Sequence, residues 1–370
     1  VKRILYIVDK LQPRSGITSI VMNYYRFFDN SSICVDFLTY DLNTVELEKE
    51  IETLGGRVYH MPVLSLTNFF VFFKWMKSFF RKKIGVYDIV HSHFIQVDLL
   101  TLICAKKYGR VTKYISHSHN AKFADTLLRS VRNYCLCFPL RFLANYKFAC
   151  SRKAGVATFG KKFLTCKNSS ILNNAIECKK FSYDVLARKR LRDEFDIGDF
   201  FLIGTVGRLC YQKNYFYLLD IMSLLKKAKR PYKLIIVGEG PLESDLKKKV
   251  MELGLEKDVI FTGLRLDVHQ MYQMMDLFVL TSFYEGLPVV GIEAQVSGLP
   301  CLFSENITSE VGILKYDFLP IADNSKGMWV AKIEEVDMNE NRHDAFNMML
   351  NSGYDIEYES KKLQRFYECL

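Results

Sequence analysis

Short runs of β-branched and aromatic residues, separated by helix-length stretches, recur through most of this chain and constrain its fold more than any other feature. They lie at 3–8, 34–39, 57–61, 87–92, 112–118, 146–150 and 169–173, then at 201–207, 232–238, 258–263, 276–282 and 299–304. Strands alternating with helical segments predict parallel α/β sheets, and right-handed crossovers put helices on both faces of each. With 370 residues there is room for two such units, each with its own core. The polar, aperiodic stretch NNAIECKKFSYD (173–184) reads as the break between them. The predicted division is one Rossmann-like domain over 1–174, a second over 175–355, and a terminal helix over 356–370 that returns to the first. Ligands of such sheets gather at the carboxyl ends of the strands, which here are expected to face each other across a cleft.

Composition excludes several other classes. About half the residues are apolar and a quarter charged, which is ordinary for a globular protein. No apolar run reaches the roughly 18 residues that span a bilayer, and VKRILYIVD reads as a strand rather than a signal peptide. The ten cysteines are scattered without metal-ligand spacing, so free thiols in a reducing cytoplasm are the expectation. The net charge of +10 is uneven: residues 1–180 carry +16 and the remainder −6. A basic first half suits an anionic membrane, a phosphorylated acceptor or nucleic acid. No groove-reading or stacking motif supports nucleic acid. The segment NFFVFFKWMKSFFRKKIG (68–85) mixes Phe and Trp with Lys and Arg. It reads either as an interfacial helix or as a buried crossover helix with a basic end.

The loops after the strands hold the candidate chemistry. In GTVGRLCYQKN, Gly207 ends a strand and Arg208 and Lys213 follow five residues apart. Arg can grip a diphosphate through two N–H bonds and Lys can follow as a point charge; the alternative is a solvated turn. In FYEGLPVVGIEAQ, Pro288 suits a first helical position, leaving Glu285 in the loop and Glu293 inside the helix. The backbone N–H groups at that helix start suit a phosphate, and the two carboxylates suit sugar hydroxyls on either side. In IIVGEGPL the glycines, Gly238 among them, let backbone approach a ligand. FTGLRLDV exposes backbone near Leu264 and Arg265, where a flat base can be read. Gly16 opens a helix near Thr18 and Ser19, as an anion seat or a plain turn. His117 and His119, followed by Asn120, stand past a strand, with His91 and His93 at the neighbouring one. They suit sugar hydroxyls, a base or a metal lacking an evident third ligand, or are satisfied structural histidines. The G-x-G-x-x-G fingerprint of a dinucleotide-binding dehydrogenase is missing.

As an ordered set, VGRLCYQKN, IIVGEGPL, VIFTGLRLDV, EGLPVVGIE and GLPCLFS, together with HSHN and the terminal YDIEYESKKLQRFYECL, resemble a retaining GT-B glycosyltransferase of family 4 type. Such enzymes build capsule, exopolysaccharide and lipopolysaccharide. The resemblance implies two Rossmann-like domains and a nucleotide-sugar donor, with UDP the expected carrier. It also implies a glycan or polyprenyl-diphosphate-linked acceptor, no cofactor and no metal. Arg208 and Lys213 would hold the diphosphate, with Gly207 and Gly238 beside it. The backbone of Gly286, Leu287, Pro288, Val289 and Val290 would cap the phosphates. Glu293 would bond the ribose, Glu285 the donor sugar and Leu264 the base, while Gly16 would lie near the phosphate or acceptor and His117 near the sugar. Ser15-Gly16 stands where many relatives have paired glycines, which leaves the role of that loop less defined. The implied enzyme is cytoplasmic or peripheral on the inner face of a membrane; the rival reading is an inactive nucleotide-sugar-binding protein on the same fold.

Overall fold

Each run of the sequence pattern becomes a strand in one of two all-parallel ladders. The computed structural model describes residues 1–12, 15–65, 67–119, 127–337 and 341–370. They divide into Val1–Ala175 with Ile356–Leu370, and Ile176–Asp355. The first unit holds β1 (Lys2–Ile7), β2 (Ile33–Thr39), β3 (Val58–His60), β4 (Ile89–Ser92), β5 (Lys113–Ser118), β6 (Tyr146–Ala149) and β7 (Ser169–Ile171), in spatial order β3-β2-β1-β4-β5-β6-β7. The second holds β8 (Phe201–Val206), β9 (Tyr232–Val237), β10 (Val259–Gly263), β11 (Leu277–Leu280), β12 (Cys301–Ser304) and β13 (Tyr316–Leu319), in order β10-β9-β8-β11-β12-β13. Each strand order reverses once, between β1 and β4 in one sheet and between β8 and β11 in the other. At a reversal, successive crossovers leave in opposite directions and open a crevice at the strand ends.

The central strands have no polar face: every residue of β2, β8 and β11 is buried. That is why they appear in the sequence as continuous apolar runs. β13 has no such run; Tyr316 and Asp317 are exposed at the sheet edge, and sequence periodicity misses it. The helix Phe69–Lys82 turns Phe72, Met76, Phe79 and Phe80 inward, so it is a crossover helix packed on the sheet with a basic end. The terminal helix Ile356–Glu368 docks in the first unit, where the hydroxyls of Tyr367 and Tyr6 lie 2.8 Å apart. Among the described residues, no helix is long and apolar enough to cross a membrane.

The glycines of VGEGPL serve close backbone packing inside the second unit. Gly238 has φ of 136°, and a Cβ there would lie 2.2 Å from the Gly207 carbonyl oxygen. At Gly240 a Cβ would fall 2.4 Å from the Leu209 oxygen and 2.6 Å from its nitrogen. Backbone bonds from Leu209 N–H to Glu239 O (2.9 Å) and from Leu242 N–H to Leu209 O (3.1 Å) hold the two loops together. Neither backbone can yield, so Gly240→Ala is expected to destabilise the protein by about 2–3 kcal/mol in urea unfolding.

Candidate active site

The loops that meet at the β8/β11 reversal carry the acids and bases singled out in the sequence. After β8 the chain passes Gly207 and the exposed Arg208, forms a short 3₁₀ turn over Tyr211–Lys213, and enters the helix Tyr215–Leu225 through Asn214 in a left-handed conformation. Thr281 donates its hydroxyl to the carbonyls of Lys213 (3.3 Å) and Asn214 (3.0 Å), and the Phe283 N–H donates to Gln212 O at 2.8 Å. Tyr211 stacks on Phe283, with centroids 4.8 Å apart. Lys213 and Glu285, 72 positions apart in the chain, are thereby brought into contact.

Lys213 Nζ lies 2.7 Å from Glu285 Oε1, with the two side chains only 14% and 10% exposed. Glu285 also accepts from Ser282 Oγ at 2.9 Å and Gln212 Nε2 at 3.1 Å. Three donors thus occupy most of the roughly four lone-pair positions of the carboxylate. What remains suits a sugar hydroxyl, and the shared charge makes attack on carbon a poor role for this group. Arg208 makes no ion pair among the described residues, so its guanidinium fork is available to an anion.

The loop from Glu285 runs directly into the helix Val289–Val296. Pro288 is its flanking cap residue, one position earlier than the spacing predicted, and no side chain caps the end. The first N–H groups of the helix therefore lack intrahelical partners, as at any helix start. Glu293 lies just over one turn inside and accepts from Tyr272 Oη at 2.6 Å. Burial raises its pKa to about 7, with the Tyr272 hydrogen bond and Lys180 acting against the rise. The two glutamates therefore hold different partners: Glu285 faces Lys213 and Glu293 faces Tyr272. Gly238 donates its N–H to the Gly263 carbonyl at 2.9 Å, which sets Leu264 beside the same strand ends. Gln212, Ser282 and Tyr272 were not singled out in the sequence. Gln212 lies between the two cations and Ser282 closes a strand run, but nothing in sequence marks Tyr272 as the partner of Glu293.

In the first unit, Gly16 opens the helix Gly16–Arg26, and a Cβ there would meet nothing within 4 Å. His117 is wholly buried at the end of β5. The strand pairing β4–β5 gathers four histidines: His91 Nε2 and His117 Nδ1 are 3.2 Å apart, and His93 Nδ1 and His119 Nε2 are 2.9 Å apart. Tyr367 Oη reaches His91 Nδ1 at 2.6 Å. His91, His93 and His117 place ring nitrogens within 4.8 Å of one another, supplying the third candidate ligand that spacing alone had not shown. The geometry is nevertheless that of a stacked array. His91 lies over His93 at 4.2 Å and His117 over His119 at 4.1 Å, interplanar angles 24° and 26°. Lone pairs of stacked rings run side by side rather than converging on one ion. Burial lowers the pKa of all four, that of His119 to about 4, so the array is neutral near pH 7. Asn120 lies outside the described residues.

Residues 187–348 match the family model for group 1 glycosyl transferases. The chain is 32% identical to a putative glycosyltransferase, EpsF, of Bacillus subtilis over 84% of its own length and 81% of that protein's. It is 28% identical to an Escherichia coli UDP-Gal:α-D-GlcNAc-diphosphoundecaprenol α-1,3-galactosyltransferase over 63% of this chain and 61% of that protein. Among solved structures, Anabaena HepE in complex with UDP and glucose superposes with a TM-score of 0.79 at 15% identity, each chain covered completely. Two doubly wound parallel sheets and this degree of likeness establish that the chain belongs to the group 1 glycosyltransferase family and has the GT-B fold of two Rossmann-like domains.

Proposed function

We propose that this protein moves a sugar, with retention, from a UDP-sugar to a hydroxyl of a glycan or lipid-linked acceptor in cell-surface polysaccharide assembly, at the cytoplasmic side of an anionic membrane. The observation that carries the reading is the Lys213–Glu285 pair beside exposed Arg208 at the β8/β11 reversal. HepE complexes with UDP and UDP-glucose, and the UDP-Gal-dependent relative, support the choice of carrier.

In this reading Arg208 and Lys213 take the diphosphate, and the start of the helix Val289–Val296 adds N–H donors. As the C1–O bond breaks, negative charge grows on the departing phosphate. Lys213, held against Glu285, the exposed Arg208 guanidinium and oriented N–H groups stabilise that charge. The phosphate oxygen then receives the proton of the incoming hydroxyl on the face it leaves, which gives retention. Glu285, fixed by three donors, orients the donor sugar through a hydroxyl. Glu293 accepts from the ribose. The test is UDP release from a panel of UDP-sugars with lipid extract as acceptor, and the anomeric configuration of the product by NMR. An α-donor giving an α-product is expected; an inverted product, or no release from any donor, would count against the reading.

Glu293 supplies a pH-dependent check. Its folded pKa of about 7 lies above the ordinary 4.5, so the folded state holds an extra proton between those values. Stability therefore falls as pH rises through that window, and the burial cost is fully present above about pH 7. Glu293→Gln removes the charge and is expected to stabilise the protein by about 2 kcal/mol at pH 8 and by little at pH 4.5. The same change is expected to weaken UDP binding about ten-fold at pH 8 by removing a charged acceptor. Urea unfolding and calorimetry at the two pH values check both.

A further inference from the structure

We propose that the protein docks on an anionic lipid bilayer through one outer face of its first unit, formed by the helices Ile95–Gly109, Leu127–Cys137 and Leu140–Leu143. This deepens the membrane-linked part of the function above by naming the surface, and it departs from the aromatic helix that the sequence singles out. That helix, Phe69–Lys82, spends its aromatic face on the core: Phe72, Phe79 and Phe80 are buried, and Trp75 stacks on Phe79 at 5.4 Å. Only its first turn leaves Phe69, Phe70 and Val71 in water.

Large apolar side chains do reach water on the neighbouring face. Phe142 is 75% exposed, with exposed Phe138 and Leu143 beside it in the chain. Lys106 Nζ donates to Leu143 O at 2.8 Å, which ties the last turn of Ile95–Gly109 to this apolar tip. Cations lie directly on the aromatic rings. The Arg141 guanidinium sits 5.2 Å from the ring centroids of both Tyr134 and Phe138. Lys107, in the last turn of Ile95–Gly109, approaches the Tyr108 ring at 5.8 Å, and Lys77 and Arg81 reach the same ring from the adjoining helix Phe69–Lys82 at 5.1 and 5.3 Å. Among the described residues none of these cations has an acidic partner. Residues 95–110 and 127–143 carry six Lys and Arg against one acid, Asp98, which is buried.

Phe and Leu projecting among cations that have no acidic partner among the described residues match the boundary between acyl chains and anionic headgroups, where rings enter the boundary and lysine and arginine stems reach the phosphates. Each basic residue near such a surface raises partitioning about five-fold at low salt, and the attraction decays within a Debye length. An acidic protein would complement the charge alone and would leave Phe142 and Leu143 without an apolar seat.

The test is flotation of the full chain with phosphatidylcholine vesicles, with and without phosphatidylglycerol, at low and high salt. Intact protein is expected to float only with phosphatidylglycerol and to be released by salt. Phe138→Ser/Phe142→Ser and, separately, Lys107→Glu are expected to reduce partitioning about ten-fold or more, while Phe70→Ser/Lys74→Glu leaves it unchanged. UDP-induced thermal stabilisation serves as the fold control and is expected to be the same in every variant. Absence of flotation by the intact protein overturns the proposal, as does unchanged flotation of the Phe138/Phe142 or Lys107 variant. Loss confined to the Phe70/Lys74 variant also overturns it, assigning docking to Phe69–Lys82. Failure of the transferase reading would show separately, as absent transfer to a detergent-solubilised acceptor by protein that still floats.

Discussion

Arg208→Ala and Lys213→Ala are each expected to lower kcat on the order of 100-fold or more while raising the donor KM only a few-fold. Removing one preorganised group that meets developing charge costs roughly 3–4 kcal/mol in the transition state. The ground-state diphosphate already carries charge and keeps the second cation and the helix start, so affinity changes less. The two variants should separate in stability. Arg208 is exposed and unpaired among the described residues, so its loss leaves the fold untouched. Lys213 neutralises Glu285 at 2.7 Å in a site where both side chains are mostly out of water. Lys213→Ala therefore leaves a carboxylate with two neutral donors and no cation, and is expected to destabilise the protein by about 2–3 kcal/mol. Lys213→Ala/Glu285→Gln should recover most of that stability and none of the turnover. Steady-state kinetics and urea unfolding on the three proteins check this, and unchanged turnover in both single variants would remove the diphosphate role.

Acidification is expected to unfold the first unit well before ordinary carboxylate titration would. His91, His93, His117 and His119 are buried and held neutral, each with a pKa pushed below the usual 6.5, to about 4 for His119. The unfolded chain takes up protons below pH 6.5 that the folded unit refuses. Stability is thus fully present above about 6.5 and is lost as pH falls toward the folded values. Asp98 acts the other way: burial holds its pKa at about 7 despite hydrogen bonds from Tyr114 and Ser116, and this offsets about one of the four histidines. Four histidines against one carboxyl leave a net fall in stability between pH 7 and pH 5. Urea unfolding across that range should show the fall. His117→Leu, which cannot take up the proton in either state, should flatten the profile by about one proton while losing the contact to His91.

The parts of this molecule that are legible in its sequence are those decided locally. Twelve of the thirteen strands are legible in the sequence: the central ones because a strand covered on both faces must be apolar throughout, and the part-exposed edge strands β3, β7 and β10 because short β-rich runs stand between helix-length stretches. β13 escapes because an edge strand with Tyr316 and Asp317 in water carries no such signature. Arg208, Lys213 and Glu285 stand in loops after strands, so topology alone sends them to one reversal. The remainder depends on contacts between distant positions. Phe69–Lys82 has the composition of an interfacial helix, and only its packed face shows that Phe72, Phe79 and Phe80 belong to the core. The separation of Glu285 and Glu293 is plain in the sequence, but the partner each has in the fold, Lys213 and Tyr272, is not. The glycines of VGEGPL predict a close approach, but not that the approaching group is the protein's own Gly207–Leu209 backbone. Two His-x-His pairs become one stacked array only through the pairing of β4 with β5.

The most direct measurement is calorimetric titration of UDP and of uridine into the intact protein and into Arg208→Ala/Lys213→Ala. If these two cations seat the diphosphate, the intact protein binds UDP far more tightly than uridine, and the double variant loses most of that advantage while its uridine affinity is unchanged. Equal preference for UDP over uridine in both proteins would contradict the account.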